Sequence, residues 1–97
     1  MTKNDEITYL TFVNIENILD KYKIEYQSLN KRIEFTLDND EQIIIHAERD
    51  NSVLTNVLIH LFHKQNQYTF SFEGNENWIN KKDNTNLYEA IENLINP

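Results

Sequence analysis

The order of hydrophobic and polar positions divides the chain into a helix, a series of short strands and a second helix. Over residues 5–22 the apolar side chains recur at the spacing of an amphipathic helix, about 3.6 residues per turn. The same spacing returns over residues 86–96 and predicts a closing helix, which Asn84, Thr85 or Asn86 would cap. The apolar stripe predicted for the closing helix is Leu87, Ile91, Leu94 and Ile95.

Between the helices the pattern changes to the two-residue alternation of half-buried strands. Residues 32–46 predict a hairpin that turns at Asp38-Asn39-Asp40, because Asn and Asp tolerate left-handed backbone and bond their own main chain. The run Ile43-Ile44-Ile45 favours burial on both faces near the centre of a sheet. Further strands are predicted at 24–26, 53–62, 67–72 and 77–80, with polar loops or turns at 48–52, 63–66, 74–75 and 81–85.

This order predicts an α+β fold, a two-layer sandwich in which a helix, a five- or six-stranded antiparallel meander and a helix follow one another. Both helices must cover the same apolar face of the sheet and leave the other face exposed. A length of 97 residues suits one domain, residues 1–97. Trp78 is expected beside the second helix. Tyr68, Phe70 and Phe72 are expected in the core.

Composition narrows the range of functions. The chain has no cysteine, which excludes disulfides, thiolate metal sites and cysteine nucleophiles. Its formal net charge is -7, and residues 1–50 carry eleven of the sixteen acids. Such a surface repels phosphate backbones, so we expect no nucleic-acid partner. No apolar run is long enough to span a membrane, and the first residues lack a targeting pattern. We therefore expect an intracellular protein.

A group of carboxylates is the main candidate for a metal-binding site. By the helical wheel, Asp5, Glu16 and Asp20 lie within about 60° of one another on the flank of the first apolar stripe, and Glu25 follows on the next strand. Clustered carboxylates are hard ligands that hold Fe²⁺, Mn²⁺, Mg²⁺ or Ca²⁺ in open, hydrated sites. The competing interpretation is an ordinary solvated helix face. His60-x-x-His63 is a poor zinc pair, since a strand directs these side chains to opposite faces.

Three blocks of the chain carry a recognisable pattern. The first is the helix ending Glu16-Asn17-Ile18-Leu19-Asp20-Lys21-Tyr22. The second is the turn Thr36-Leu37-Asp38-Asn39-Asp40 with its Ile-rich returning strand. The third is the succession of Tyr68-Thr69-Phe70, Trp78, Lys82-Asp83-Asn84 and Leu87. These blocks resemble the first helix, the hairpin turn and the C-terminal signature of the frataxin family, in its bacterial form. Asn84 replaces the family's glycine, and Asn56 and Leu58 replace its exposed Gln and Trp.

The resemblance implies a frataxin-like protein that binds iron weakly at its surface, as Fe²⁺ or Fe³⁺, and regulates iron–sulfur cluster assembly. The metal residues implied are Asp5, Glu16, Asp20 and Glu25. The partners implied are a cysteine desulfurase and the iron–sulfur scaffold protein, contacted through Glu16, Asp20, Asn56, Leu58 and His60. The protein is expected to be a non-enzyme, with ferroxidase activity suggested by the resemblance alone. It is also expected to be monomeric, and cytoplasmic in a bacterium or in a mitochondrial-type compartment in a eukaryote.

A second class of function remains open from the charge alone. An acidic interaction protein, such as a nucleic-acid mimic or an immunity-type inhibitor, uses carboxylates to imitate phosphates. Mimicry requires acids spread over a face at phosphate-like spacing, whereas here they concentrate on the first helix and the neighbouring strand edges. Recovery of a nuclease in a pull-down would favour mimicry, and recovery of a desulfurase would favour the frataxin interpretation.

Overall fold

The computed structural model describes residues 3–49, 57–73 and 77–97. Within these residues the chain forms two α-helices and six β-strands. In chain order they are α1 (Lys3–Lys21), β1 (Tyr26–Leu29), β2 (Arg32–Thr36), β3 (Gln42–Arg49), β4 (Val57–His63), β5 (Asn66–Phe72), β6 (Trp78–Ile79) and α2 (Leu87–Ile95). The predicted order of helix, meander and helix is confirmed, with six strands.

The strands form one sheet in the order β1-β2-β3-β4-β5-β6, and each strand pairs antiparallel with the next. Because alternate residues of a strand point to opposite faces, the register assigns each side chain to the face that carries the helices or to the outer face. In β3, Ile43 and Ile45 are fully buried on the helix-covered face. Ile44 is half-buried on the outer face opposite Phe62. The isoleucine run is therefore central, but its outer member is only partly covered.

The core lies between the sheet and both helices. Ile15 and Leu19 of α1 and Leu87 and Ile91 of α2 have no exposed surface, and they belong to the same cluster as the inward side chains of the strands. The strand members of that cluster are Ile33, Phe35, Ile43, Ile45, Ala47, Ile59, Leu61, Phe70 and Trp78. Since burying each large aliphatic side chain stabilises the fold by about 1.5–3 kcal/mol, this single core holds the two layers together.

Trp78 connects the short sixth strand to the first helix. Its indole Nε1 donates a hydrogen bond of 2.9 Å to the hydroxyl of Thr11, which in turn donates to the carbonyl of Ile7 at 2.8 Å. The indole is 1 % exposed and packs edge-on against Phe72. The prediction that placed Trp78 beside the closing helix missed this attachment to α1.

Left-handed backbone occurs at five positions of the described chain. Asp40 (φ 68°) and Asn84 (φ 61°) confirm that the first hairpin and the loop before α2 turn at Asp and Asn. The other three are lysines, at positions 23, 31 and 64, with φ of 58–59°. Each non-glycine residue in this region costs about 1–2 kcal/mol relative to right-handed backbone. Tight turns therefore rely on lysine as well as on Asn and Asp.

Several boundaries differ from the sequence prediction. Strand β3 runs through Glu48 into the predicted polar loop, because Glu48 pairs with Leu58 of β4. Strand β1 begins at Tyr26 rather than at residue 24. Asn86 is the cap of α2, and its side-chain oxygen accepts from the amide of Tyr88 at 2.9 Å. Tyr68 is 38 % exposed rather than buried. The predicted strand start at 53–56 and the turn at 74–75 lie outside the described residues.

Candidate functional site

The acidic flank comprises Asp5, Glu16 and Asp20 of α1 and Glu25 of the link that follows. A helix rises about 1.5 Å per residue, so Asp5 and Glu16 are about 16 Å apart along the axis, while Glu16 and Asp20 are one turn apart. Asp20 and Glu25 are exposed, and Asp5 and Glu16 are half-buried. The flank is consequently a line of carboxylates in which one close pair, Glu16 and Asp20, stands at the centre.

Tyr26 lies beside this central pair. Its half-buried position, the negative charges of Glu16 and Asp20 and a hydrogen bond to Asp20 together raise the pKa of the Tyr26 phenol above its usual 10.0, burial being the largest cause. The Tyr26 phenol therefore lies near both carboxylates, and its raised pKa is the expected consequence of burial and of their negative charge.

Three acids of the flank line two separate grooves. Asp5 and Glu16 line a groove of about 540 Å³ between α1 and the β1–β2 hairpin, where the ammonium of Lys31 is 3.9 Å from the Asp5 carboxylate. Glu25 lines a larger groove of about 960 Å³, at the end of the molecule where α1 and α2 finish. The four predicted metal residues thus share an edge of the molecule but do not converge on one point.

The donor set limits how a metal could be held. Among residues 3–49, 57–73 and 77–97, no three His, Asp or Glu side chains come close enough to hold an ion between them. Carboxylates at this spacing provide one or two oxygens each to a hard cation, and water completes its shell. Loose binding of iron at Asp5, Glu16, Asp20 and Glu25 stays a prediction.

The outer face of the sheet is the side that carries no helix. Leu58 and His60 lie on it, as the register of β3, β4 and β5 shows: Leu58 is opposite Glu48 and Ser71, and His60 is opposite His46 and Thr69. Leu58 is half-buried. Asn56, the third residue predicted for this surface, lies outside the described residues. The face also exposes part of the apolar surface of Phe62.

His60 is buried on this face by its polar neighbours. Its side chain is 9 % exposed. Nε2 is 2.9 Å from a carboxylate oxygen of Glu48, and Nδ1 is 2.9 Å from the Thr69 hydroxyl and 3.1 Å from the Gln67 amide nitrogen. A carboxylate only accepts, so Nε2 carries the hydrogen, and Nδ1 accepts from Thr69 and Gln67. His60 therefore connects three strands instead of offering its ring to a partner.

His63 faces the opposite side of the strand. Its Nε2 is 2.6 Å from a carboxylate oxygen of Glu41, and the Lys64 ammonium is 3.8 Å from the same oxygen. The hydrogen bond from His63, assisted by the charge of Lys64, holds the pKa of Glu41 below its usual 4.5. His60 and His63 thus point to different faces of β4, as the strand pattern predicted.

Two features of the flank were missed in the sequence. Tyr9 is 61 % exposed and Leu29 is 58 % exposed, and both line the groove that contains Asp5 and Glu16. The helical wheel that groups the acids also places Tyr9 among them, so the position of Tyr9 could have been predicted. The position of Leu29 could not, because it depends on the β1–β2 hairpin folding back beside α1.

Comparison with known proteins identifies the architecture. No protein-family model matches the chain, and no curated protein matches it. Among solved structures, the frataxin of Psychromonas ingrahamii, studied as a model for stability modulation within the CyaY protein family, superposes with a TM-score of 0.72 at 15 % sequence identity. The match covers 95 % of this chain and 88 % of that one. No helix of the described chain is long and apolar enough to cross a membrane. The chain has the frataxin fold.

Proposed function

We propose that this protein is a frataxin-like, weakly iron-binding partner and regulator of iron–sulfur cluster assembly. The observation that carries the proposal is the frataxin fold over 95 % of the chain, with a line of carboxylates on the flank of its first helix. The role is non-catalytic, and ferroxidase activity remains an expectation from resemblance. The acidic flank supports this function better than phosphate mimicry, since its acids follow one helix edge instead of spreading over a face.

Iron in this proposal is a cargo that the surface holds loosely. Glu16 and Asp20 provide the central oxygen ligands, while Asp5 and Glu25 extend the negative field along the same edge. Because water completes the coordination shell, the ion exchanges readily and selectivity between hard divalent cations is low. Tyr26 lies beside the pair, and the charges of both carboxylates act on its phenol.

The proposed protein partners are a cysteine desulfurase and the iron–sulfur scaffold protein. Carboxylates of the acidic flank would meet basic side chains of the desulfurase, where charge complementarity speeds encounter and fixes orientation. The outer face, with Leu58 and Asn56, is the second predicted contact. His60 serves this contact indirectly, because it positions the exposed carboxylate of Glu48 rather than touching a partner itself.

The test is a double charge reversal, Glu16→Lys with Asp20→Lys. We expect association with a cysteine desulfurase to weaken at least about tenfold at low salt, and the loss to shrink as salt screens the flank. Ferrous ion binding, measured anaerobically by calorimetry, should weaken as well. The matched control is Glu73→Lys with Glu89→Lys, which makes the same change in net charge at exposed positions that line neither groove of the flank.

The control should retain affinity within about twofold, since it alters only the long-range field. If the flank variant and the control behave alike, the flank is not the contact and the assignment of Glu16 and Asp20 is wrong. Association with a nuclease in place of a desulfurase would favour the inhibitor interpretation.

A further inference from the structure

The groove between α1 and the β1–β2 hairpin combines apolar and acidic side chains. Its walls are the flank of α1, with Tyr9, Phe12 and Val13, and the end of β1, with Leu29. Tyr9 and Leu29 are the two most exposed large apolar residues of the lining, but Leu29 pairs with Arg32 and so points to the outer face. The apolar wall is therefore formed by Tyr9, Phe12 and Val13, which lie on one side of α1 and form a contiguous patch, and such a patch marks an interaction surface more than scattered single side chains do.

Strand β1 forms one wall of the groove and is an edge strand of the sheet. Within the described residues it pairs with β2 alone, and all of its residues after Tyr26 are exposed. An edge strand presents alternate amide and carbonyl groups that a further strand can pair. The four residues of β1 span about 13 Å, which suits an added segment of about seven residues with overhanging ends. Apolar groove and open backbone edge therefore lie side by side.

Charge decides what kind of segment fits. The rim carries Asp5 and Glu16, with Asp20 beyond it, while the groove's one cation among the described residues, Lys31, is 3.9 Å from Asp5. A second copy of this chain, pairing β1 against β1, would bring two acidic flanks together on molecules that each carry a net charge of -7. Repulsion of that kind disfavours self-association, whereas a segment with lysine or arginine at its ends gains from the same field.

We infer that this groove binds an extended, basic and β-branched segment of a protein partner, which adds to β1 as a seventh strand and packs alternate apolar side chains against Tyr9 and Val13 of α1. Main-chain hydrogen bonds to the edge provide affinity, and the alternating side chains provide selectivity, as in other strand-addition complexes. The inference deepens the proposed function and rests on it for the existence of a basic protein partner.

The experiment uses the full chain and a defined peptide. The peptide is acetyl-Lys-Val-Thr-Val-Thr-Val-Lys-amide, titrated against labelled protein while amide NMR shifts are followed. Shifts should concentrate at Tyr26–Leu29 and at Tyr9, Phe12 and Val13. A peptide with glutamate in place of both lysines should bind at least about tenfold more weakly, because the rim repels it. The lysine peptide that carries N-methyl groups on its valines, which are alternate residues, should lose binding. Its methylated amides cannot donate hydrogen bonds to the exposed edge of β1.

Two variants of neighbouring residues on α1 separate the groove from the general surface. Tyr9→Lys places a charge inside the groove and should weaken the lysine peptide at least about tenfold. Leu10→Lys makes the same change in charge at a residue that is 48 % exposed but does not line the groove, and should alter affinity by less than about twofold. Both positions are exposed, and unchanged circular dichroism establishes that both variants fold.

Four results would overturn the inference: equal binding of the N-methylated peptide, equal binding of the glutamate peptide, equal loss in the two variants, or shifts confined to the outer face. A concentration-dependent dimer of the free protein that Leu29→Lys abolishes would assign the groove to a second copy instead. If the peptide results fail while charge reversal at Glu16 and Asp20 still weakens desulfurase association, the proposed function stands and only the strand-addition site is wrong.

Discussion

The acidic flank and the outer face of the sheet differ in how they use their polar side chains. On the outer face, His60 is buried by bonds to Glu48, Thr69 and Gln67 from the two neighbouring strands. Arg32 bonds Glu34 on the same face at 2.9 Å. On the flank, Asp20 and Glu25 are exposed, and the half-buried Asp5 and Glu16 line a groove beside β1. Polar groups that bond one another stabilise a surface, and polar groups left facing solvent are available to a ligand or partner.

The largest expected difference between the two regions is in how much a substitution lowers the free energy of unfolding. His60→Ala removes a buried ring and leaves three polar neighbours without their shared partner, so the free energy of unfolding should fall by about 2 kcal/mol. Tyr9→Ala, on the flank, removes a side chain that is largely exposed and should change it by less than about 0.5 kcal/mol. Urea unfolding followed by tryptophan fluorescence gives both values. Equal losses would contradict the contrast between a bonded face and an open flank.

Titration of Tyr26 gives a smaller but more local test of the flank. Its pKa lies above 10.0 in the folded protein because of burial, the charges of Glu16 and Asp20 and the bond to Asp20. A raised pKa contributes stability that is complete below the unfolded value of 10.0 and is lost as pH rises through the folded value. Ultraviolet titration should show a late phenol for Tyr26, and Asp20→Asn should bring its midpoint down.

A matched change away from the flank controls that titration. Glu73→Gln removes one exposed carboxylate beyond the end of β5 and should leave the Tyr26 midpoint where it is, because Glu73 is not among the charges that raise it and does not line the groove of Tyr26. If Asp20→Asn also leaves the midpoint unchanged, Tyr26 and Asp20 are not in contact and the description of the central pair is wrong.

The parts of the fold that were predictable from the sequence are those set by local pattern. Alternation over residues 32–46 placed the hairpin and its inward face, and the helical spacing identified the buried Leu87 and Ile91. Asn84 also takes the left-handed backbone expected of it. Each of these features depends on residues that are neighbours in the chain, so periodicity and turn preference suffice.

The parts that were not predictable depend on pairing between distant segments. The sequence predicts that Glu48 lies in a loop, but its pairing with Leu58 extends the strand. The sequence predicts that His60 is an exposed contact residue, but it is buried, because Glu48, Gln67 and Thr69 meet around it across three strands. Lys31 has no turn preference of its own, so its left-handed backbone follows from the tight β1–β2 connection.

Hydrogen exchange of this protein with and without a cysteine desulfurase, in the absence of the scaffold, tests the central claim most directly. The claim is that the flank of α1 and the adjacent edge strand form the surface that meets the desulfurase. We predict slower exchange in α1 and β1 on mixing, with β3, β4 and β5 unchanged. Slower exchange confined to β3, β4 and β5, or no change in any strand or helix, would contradict it.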